Sequence, residues 1–427
     1  MNNRKLLALF LLSGLALSAV AQQKYVGGDI SMLPEYVNRN AIYKDKDGQA
    51  VEPLAFFGQQ GMNAMRVRLF VDPSKASAEH RKQGAIQDLD YVVALAKDIK
   101  AAGMALMLDF HYSDTWTDPG KHSTPSAWSS MSVAERTVAV GDYTRDCLRR
   151  LKAEGAAPDL IQPGNEITYG MLWPTGHVYP AGGGQDGGTW DIFAGYLASA
   201  VEACREECPQ AQIVIQTEMH RPANVIDFYR TLANYPAVSY DVIGLSYYPD
   251  YHGTLETLDD TLLKLEAQYP DKTIMIVETG YGFKWQISGA TFNYSATYPV
   301  TEEGQRQFTA DLVARLGQHE AVTGLFWWYP EDNLYNIVFK DGQSADWSRQ
   351  FTAGYWNASL FNQETGRALP ALYELGAFVG SAAVNGVSAE PQPAESWFTL
   401  DGRRMQSKPV QPGIYIHGKS KVVINGR

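Results

Sequence analysis

Two glutamates, Glu166 in DLIQPGNEI and Glu278 in TIMIVETG, each close a short apolar run. A carboxylate at the tip of a buried strand costs several kcal/mol unless it is paired, hydrated or put to chemical use. Facing each other, two such groups fit the hydrolysis of a sugar acetal. A gap of about 5 Å makes one the nucleophile and the other the acid/base, with retention, whereas a wider gap admits a water and gives inversion. Taken singly, a strand-end Glu is as often a helix N-cap or an ion-pair partner, so the case rests on the pair. Asn165, beside Glu166, can offer its amide to a sugar 2-hydroxyl, a contact that tightens as the oxocarbenium ion develops. Arg66 and Arg68 share one face of AMRVRLFV by period-two alternation. An arginine beneath the nucleophile would depress its pKa and keep it charged, and a structural ion pair is the competing role.

These residues need elements that bring them together. From about residue 24 to 380, eight β-rich runs occur: YVGGDIS, AMRVRLFV, ALMLDFHY, DLIQPGNEI, IVIQTEM, VIGLSYY, TIMIVETG and GLFWWY. Helical patterns fall between them at 53–61, 84–102, 132–153, 189–206, 254–268, 301–317 and 370–379, where apolar residues recur at i, i+3 and i+4. Strand–helix alternation predicts an α/β fold with a parallel sheet, and eight strands predict a closed (β/α)8 TIM barrel. An open doubly wound sheet is the alternative, but the first strand-to-helix turn lacks a G-x-G-x-x-G phosphate loop. Polar or aromatic residues end six of the eight runs: Asp109, His111, Asn165, Glu166, Glu218, His220, Tyr247, Tyr248, Glu278 and Trp328. In a barrel those ends converge on one mouth, and strands four and seven lie on opposite sides of it, so their glutamates can face each other.

The rest of the chain bounds the partners. Its 427 residues, 45% of them hydrophobic, suffice for a large core. A net charge of −11 speaks against nucleic acid and anionic membranes and suits a neutral substrate. Residues 1–21 carry Arg4 and Lys5, the apolar stretch Leu6–Leu17 and Ala19-Val20-Ala21. That pattern predicts a secretory signal cleaved near Ala21, placing the protein in the periplasm or outside the cell. No Cys lies near that site to carry a lipid, and no later stretch reads as a membrane span. The catalytic barrel is expected over 22–380, a small-residue, Pro-containing linker over 381–396, and a β-hairpin tail over 397–427 with turns at Asp401-Gly402 and His417-Gly418. Cys147, Cys204 and Cys208 are read as buried thiols, with a local bridge between the last two as the alternative.

Aromatic residues make up 12% of the chain and cluster in the strand-to-helix loops, among them Tyr112, Trp116, Trp128, Trp173, Tyr251, Trp285 and Trp327. Sugar rings lay an apolar C–H face on such rings while their hydroxyls seek Asp, Asn and His, so this density fits an oligosaccharide cleft. His111, Asp114, Asp118 and His122 have no H-E-x-x-H spacing, and the chain has no G-x-S-x-G elbow, so neither a catalytic metal nor a serine nucleophile is expected. PEDNLYNIVFKDGQSADW holds enough Asp and Asn oxygens for a structural calcium but lacks EF-hand spacing.

GGDIS, RVRLFVDP, LDFHYSDTWTDPGKHSTPSAW, PGNE, DVIGLSYYPDYHGT, IVETGY and GLFWWYP together resemble the family 53 glycoside hydrolases, endo-β-1,4-galactanases of the large retaining barrel clan, over about residues 24–380. The resemblance implies that Glu166 is the acid/base and Glu278 the nucleophile, with no cofactor required. It implies that Asn165 and Arg68 support the −1 sugar and that Tyr247 or Tyr248 bonds the nucleophile. His111, Asp114, Trp116, His220 and Trp328 would line the cleft, and the partner would be β-1,4-galactan or a galacto-oligosaccharide met by a monomer. Three stretches depart from the family pattern: Trp327-Trp328-Tyr329-Pro330 stands for Tyr-Trp-Glu-Pro, TEMHRP for a His-Leu-containing stretch, and YGFKWQISGATFNYSATYP lacks the acidic calcium-binding segment of some relatives.

Overall fold

Each of the eight apolar runs forms a strand: β1 Tyr25–Asp29, β2 Ala64–Leu69, β3 Ala105–Phe110, β4 Leu160–Pro163, β5 Gln212–Glu218, β6 Val242–Tyr247, β7 Thr273–Thr279 and β8 Val322–Trp328. The computed structural model describes residues 22–287, 289–338 and 356–380, with strand segments at 397–399, 404–405, 413–417 and 420–424. Neighbouring strands run parallel, and β1 pairs with both β8 and β2, closing the barrel and excluding an open sheet.

Alternation along each strand builds two cores. Tyr25, Ala64, Met107, Leu160, Val214, Val242, Met275 and Phe326, one from each strand, pack inside the barrel. Their neighbours Val26, Met65, Leu106, Ile161, Ile213, Ile243, Ile274 and Leu325 join the larger core outside it. Burial on both faces makes parallel strands read as nearly continuous apolar runs. Toward the C-terminal mouth the inward parity turns polar, with Asp29, Arg66, Arg68, Asp109, Gln162 and Gln216 all buried.

β7 breaks the alternation. Val277 joins Met275 in the inner core, yet the adjacent Glu278 also reaches the lumen, where it meets Arg66 and Gln216. Leu245 and Ser246, adjacent in β6, pair with Ile276 and Glu278, a shift of register that marks a bulge. Bulges re-aim a side chain. Strict alternation would have left Glu278 on the outer face with Ile274 and Ile276.

The main helices follow the expected pattern, and short ones at Leu33–Asn38, Ala78–Lys82 and Pro249–His252 are additions to it. The segment expected at 84–102 starts at Leu89, because the Asp88 side chain accepts the Tyr91 N–H and caps it. The segment at 370–379 is two short turns, Leu372–Leu375 and Ala377–Gly380. The structure adds a helix at Pro222–Leu232, which the sequence reading lacks, although Val225, Phe228, Tyr229 and Leu232 form a buried stripe behind Pro222 at its first turn.

A very tight backbone approach joins β1 to β2. A Cβ on Gly27 would lie 1.6 Å from the Ala64 carbonyl oxygen. Gly27→Ala is therefore expected to cost more than about 3 kcal/mol of stability, since neither strand can retreat from a packed barrel. A denaturation midpoint equal to wild type would refute that closeness.

The chain separates into two compact units, one through Ser381 and one from Ala382. In the second, Trp397–Thr399 pairs with Arg404–Met405 and with Gly413–His417, which pairs with Ser420–Ile424. The tail is thus a four-stranded antiparallel sheet, in which the two expected hairpins share a central ladder. Residues 1–21, where the leader is expected, the stretch 381–396 and the residues Asp401, Gly402 and Gly418 lie outside the described residues. Cys147, Cys204 and Cys208 are free and buried, with no bridge between Cys204 and Cys208.

Candidate active site

Glu278 is built from below. Arg66 Nη2 lies 2.9 Å from its Oε1, Gln216 Nε2 donates to the same oxygen at 2.8 Å, and the Tyr248 hydroxyl donates to Oε2 at 3.0 Å. Arg66 also reaches Asp29 Oδ2, Asp109 Oδ2 and Asn165 Oδ1, each at 2.9 Å, so one buried cation serves three carboxylates and an amide. Burial would push Asp109 up, but the Arg66 guanidinium and His111 hold it below the ordinary range.

Glu166 is placed by strain. β4 ends at Pro163, Gly164 follows with φ 105°, and Glu166 itself takes a left-handed backbone at φ 48°. A non-glycine residue there is uncommon and tends to sit at functional sites. Its N–H donates to Gln216 Oε1 at 3.0 Å, which secures the turn. Burial and then the charge of Glu278 push the Glu166 carboxyl well above the usual range, against a hydrogen bond from Ser246. Burial raises Glu278 as well, but Arg66 and Gln216 pull against it. The environments differ: both carboxyls are raised by burial, but a buried guanidinium and an amide oppose the rise at Glu278.

Both glutamates line one cavity of about 620 Å³ at the barrel mouth. Asn165, Trp116, His220, Tyr248 and Trp328 line it too, as do Tyr169, Glu218, Tyr251 and His252. Asn165 Nδ2 donates to the Thr117 carbonyl at 2.7 Å, leaving one amide hydrogen over. Trp116 and Trp328 stand edge to face with centroids 6.3 Å apart. His252 is held down to about 3 by burial and is neutral. Its Nδ1 accepts the Tyr248 N–H at 2.9 Å, so Nε2 bears the proton, 3.8 Å from Glu218 Oε2.

Four expected site residues stand apart from the cavity. Arg68 is fully buried, 3.1 Å from Asp29 Oδ1, and donates to the Tyr329 hydroxyl at 2.8 Å. Its guanidinium lies 4.5 Å from the Trp116 ring centroid and 4.8 Å from that of Trp328. Arg68 therefore braces the aromatic wall by cation–π contact, and Arg66, two residues earlier on the same face, occupies the place beneath Glu278. His111 is buried, its Nδ1 2.8 Å from Thr117 Oγ1 and its Nε2 3.2 Å from Asp109. Asp114 accepts the N–H groups of Asp72 and Ser126 and so ties two loops together. The Tyr247 hydroxyl donates to the Gly253 carbonyl at 2.9 Å, away from Glu278. Sequence reasoning missed Gln216 altogether. A lone amide at an inward position of IVIQTEM is the signal that could have found it.

This contrast supplies a test. Tyr248→Phe removes a hydrogen bond to a charged group, worth about 1.5–3 kcal/mol, so kcat/KM is expected to fall about 10- to 100-fold. Tyr247→Phe is expected to cost about 1 kcal/mol of stability and no rate. Equal rates for the two variants would show that Tyr248 does not act on Glu278.

Of the oxygens offered by loop eight, Glu331 accepts the Met32 N–H at 3.0 Å, Asp332 the Tyr36 hydroxyl at 2.6 Å and Asn333 the Tyr335 N–H at 2.9 Å. Residues 339–355 of that loop are outside the described ones. Among the described residues, no group of three or more His, Cys, Asp or Glu is arranged to hold a metal ion.

A model described as glycosyl hydrolase family 53 matches residues 25–375. An uncharacterized protein of Niallia circulans is 34% identical over 81% of this chain and 98% of its own length. Arabinogalactan endo-β-1,4-galactanase of Cellvibrio japonicus is 31% identical over 86% of this chain and 96% of its own. Among solved structures, the family 53 catalytic domain of Ignisphaera aggregans superposes with a TM-score of 0.71 at 31% identity, covering 84% of this chain and 96% of that one. With a matched span that takes in all eight strands and both glutamates, the chain belongs to glycosyl hydrolase family 53.

Proposed function

We propose that the protein is a retaining endo-hydrolase of β-1,4-galactan, the neutral side chain of pectin, working outside the cytoplasm as a monomer. The observation that carries the reading is the carboxyl pair in one cavity, with Glu166 raised well above its usual range and Glu278 opposed in that rise by Arg66 and Gln216. The family membership and the Cellvibrio japonicus relative support the substrate. Glu278 attacks the anomeric carbon while Glu166 gives its proton to the departing oxygen. A glycosyl–enzyme ester forms, and the shorter chain leaves. Glu166, now a carboxylate, takes a proton from water, which displaces Glu278 and restores the original anomeric configuration. Asn165 holds the 2-hydroxyl, and Trp116 and Trp328 offer apolar faces to neighbouring rings. Export follows from the leader at 1–21; among the described residues no helix is long and apolar enough to cross a membrane.

The pH dependence follows from the same groups. Activity needs Glu278 ionised and Glu166 protonated, so it is lost as pH falls through the first pKa and as pH rises through the second. The deciding experiment incubates the protein with linear β-1,4-galactan, mannan and cellulose, and follows reducing ends and anomeric configuration. Short β-configured galacto-oligosaccharides from galactan alone are the expected result. Cleavage of mannan or cellulose instead would overturn the substrate, α-configured first products would overturn retention, and binding without products would make the barrel a glycan-binding module.

A further inference from the structure

Gln216 on β5 touches both glutamates from a position with no solvent exposure. Its Nε2 donates to Glu278 Oε1 at 2.8 Å and to Ser246 Oγ at 2.9 Å. Its Oε1 accepts the Glu166 backbone N–H at 3.0 Å and Gln162 Nε2 at 2.6 Å. Both donors and both lone pairs are thus used, which leaves the amide one orientation. Turned over, its oxygen would face the Glu278 carboxylate and its NH2 would face two other donors. Gln162 is locked in turn, because its Nε2 also donates to Asp109 Oδ1 at 2.6 Å. Since Arg66 bonds both Asp109 and Glu278, the contacts close a ring: Arg66, Asp109, Gln162, Gln216, Glu278 and back to Arg66.

We propose that Gln216 is a positioning residue for the reaction: one amide holds the nucleophile's carboxylate and the acid/base's backbone in a fixed mutual geometry. The proposal rests on the two-glutamate reading above. An amide suits the task because it carries no titrating proton, so its donation to Glu278 persists at every working pH. The other groups facing Glu278 are Arg66 from β2, Asp29 from β1, Asp109 from β3, Glu166 beyond β4 and Tyr248 beyond β6. Of these, Arg66 is the cation, and it shares its charge with Asp29 and Asp109. The Gln216 donor is therefore not duplicated at Oε1 by an uncommitted group.

Two variants test this on the full-length protein. Gln216→Glu sets a second carboxyl beside Glu278, so the two hold a proton between them and the nucleophile is freed only at higher pH. The acid limb of kcat/KM is expected to move up by about one pH unit or more. Gln216→Met keeps the volume without the donor, and kcat is expected to fall about 10- to 100-fold with a smaller change in KM. Folding is followed by circular dichroism and Tm. An unmoved acid limb in folded Gln216→Glu, or a wild-type kcat in folded Gln216→Met, overturns the proposal. If neither folds, Gln162→Leu removes the clamp on the Gln216 carbonyl together with one donor to Asp109: a fall in kcat of about three-fold or more at unchanged KM supports the proposal, and wild-type kcat overturns it. Full activity in Glu278→Ala would instead sink the two-glutamate reading itself. Cleavage of another polymer by wild type would change the substrate and leave the Gln216 arms to be read on that polymer.

Discussion

Glu278→Ala is expected to lower kcat/KM on β-1,4-galactan by about 10⁴-fold or more, because removal of a covalent nucleophile forfeits the step it carries. The Arg66, Gln216 and Tyr248 donors remain in place, but they then surround a cavity rather than a charge. Sodium azide separates this loss from misfolding. Azide fits the space left by the carboxylate and attacks an activated aryl galactoside from the same face, so Glu278→Ala should yield the α-galactosyl azide. Glu166→Ala should behave differently: with a good leaving group the first step needs no acid, the glycosyl–enzyme accumulates, and azide then gives the β-azide. Wild-type rates in both variants would rule out the mechanism. The α-azide from Glu166→Ala would exchange the two roles.

Arg66→Met is the second large effect, and it acts on stability and rate together. Arg66 is fully buried and is the shared cation of Asp29, Asp109 and Glu278. Removing one partner of a buried ionic cluster costs about 3–5 kcal/mol, since the remaining charges keep their desolvation penalty. The loss should vary with pH in a defined direction. In the wild type Asp109 is held below its ordinary 3.8, so its contribution is present above about pH 4 and fades as pH falls through its folded value. Without the guanidinium that contribution is gone, and protonation relieves the stranded carboxylates. The stability deficit of Arg66→Met is therefore expected to be full at neutral pH and to shrink toward pH 3–4, as urea unfolding at several pH values would show. Glu278 loses its cation as well, so the acid limb of kcat/KM moves up. Arg68→Met makes the comparison: its guanidinium braces Trp116 and Trp328, and its loss should raise KM more than it shifts the limb. A pH-independent deficit in Arg66→Met, or equal limb shifts in the two variants, would contradict this division of roles.

The buried acids of loop eight fit the same electrostatic picture. Burial pushes Asp332 up to about 7 against its bond from Tyr36, and burial and then the charge of Asp29 push Glu331 well above its ordinary range. These groups hold the loop against the first strand-to-helix connection, where Tyr36 and Tyr43 reach them, and they stand away from the glutamate pair.

Much of this protein was determined by its sequence alone. Eight β-rich runs separated by helical periodicity require a parallel sheet, because each run is apolar on both faces and must be covered twice, and their number favours a barrel over an open sheet. Polar residues at the ends of those runs place the chemistry at one mouth, and Glu166 and Glu278 stand out because an ionisable group there needs a reason. Tertiary structure decided which neighbour of a pair does the work. Arg66 and Arg68 have the same parity, and their height in the lumen chooses between them: Arg66 lies level with Glu278 and Arg68 under the aromatic wall. Tyr247 and Tyr248 have opposite parity at a strand end, where the chain leaves the sheet and alternation stops being a guide. Glu278 itself reaches the lumen through a bulge that period-two reasoning cannot foresee. Gln216 acquires meaning only when strands far apart in sequence bring Gln162, Ser246 and both glutamates to its four hydrogen-bonding positions. Local pattern sets which residues share a face, while shear, bulges and strand ends set which of them meet, and those depend on the closed barrel as a whole.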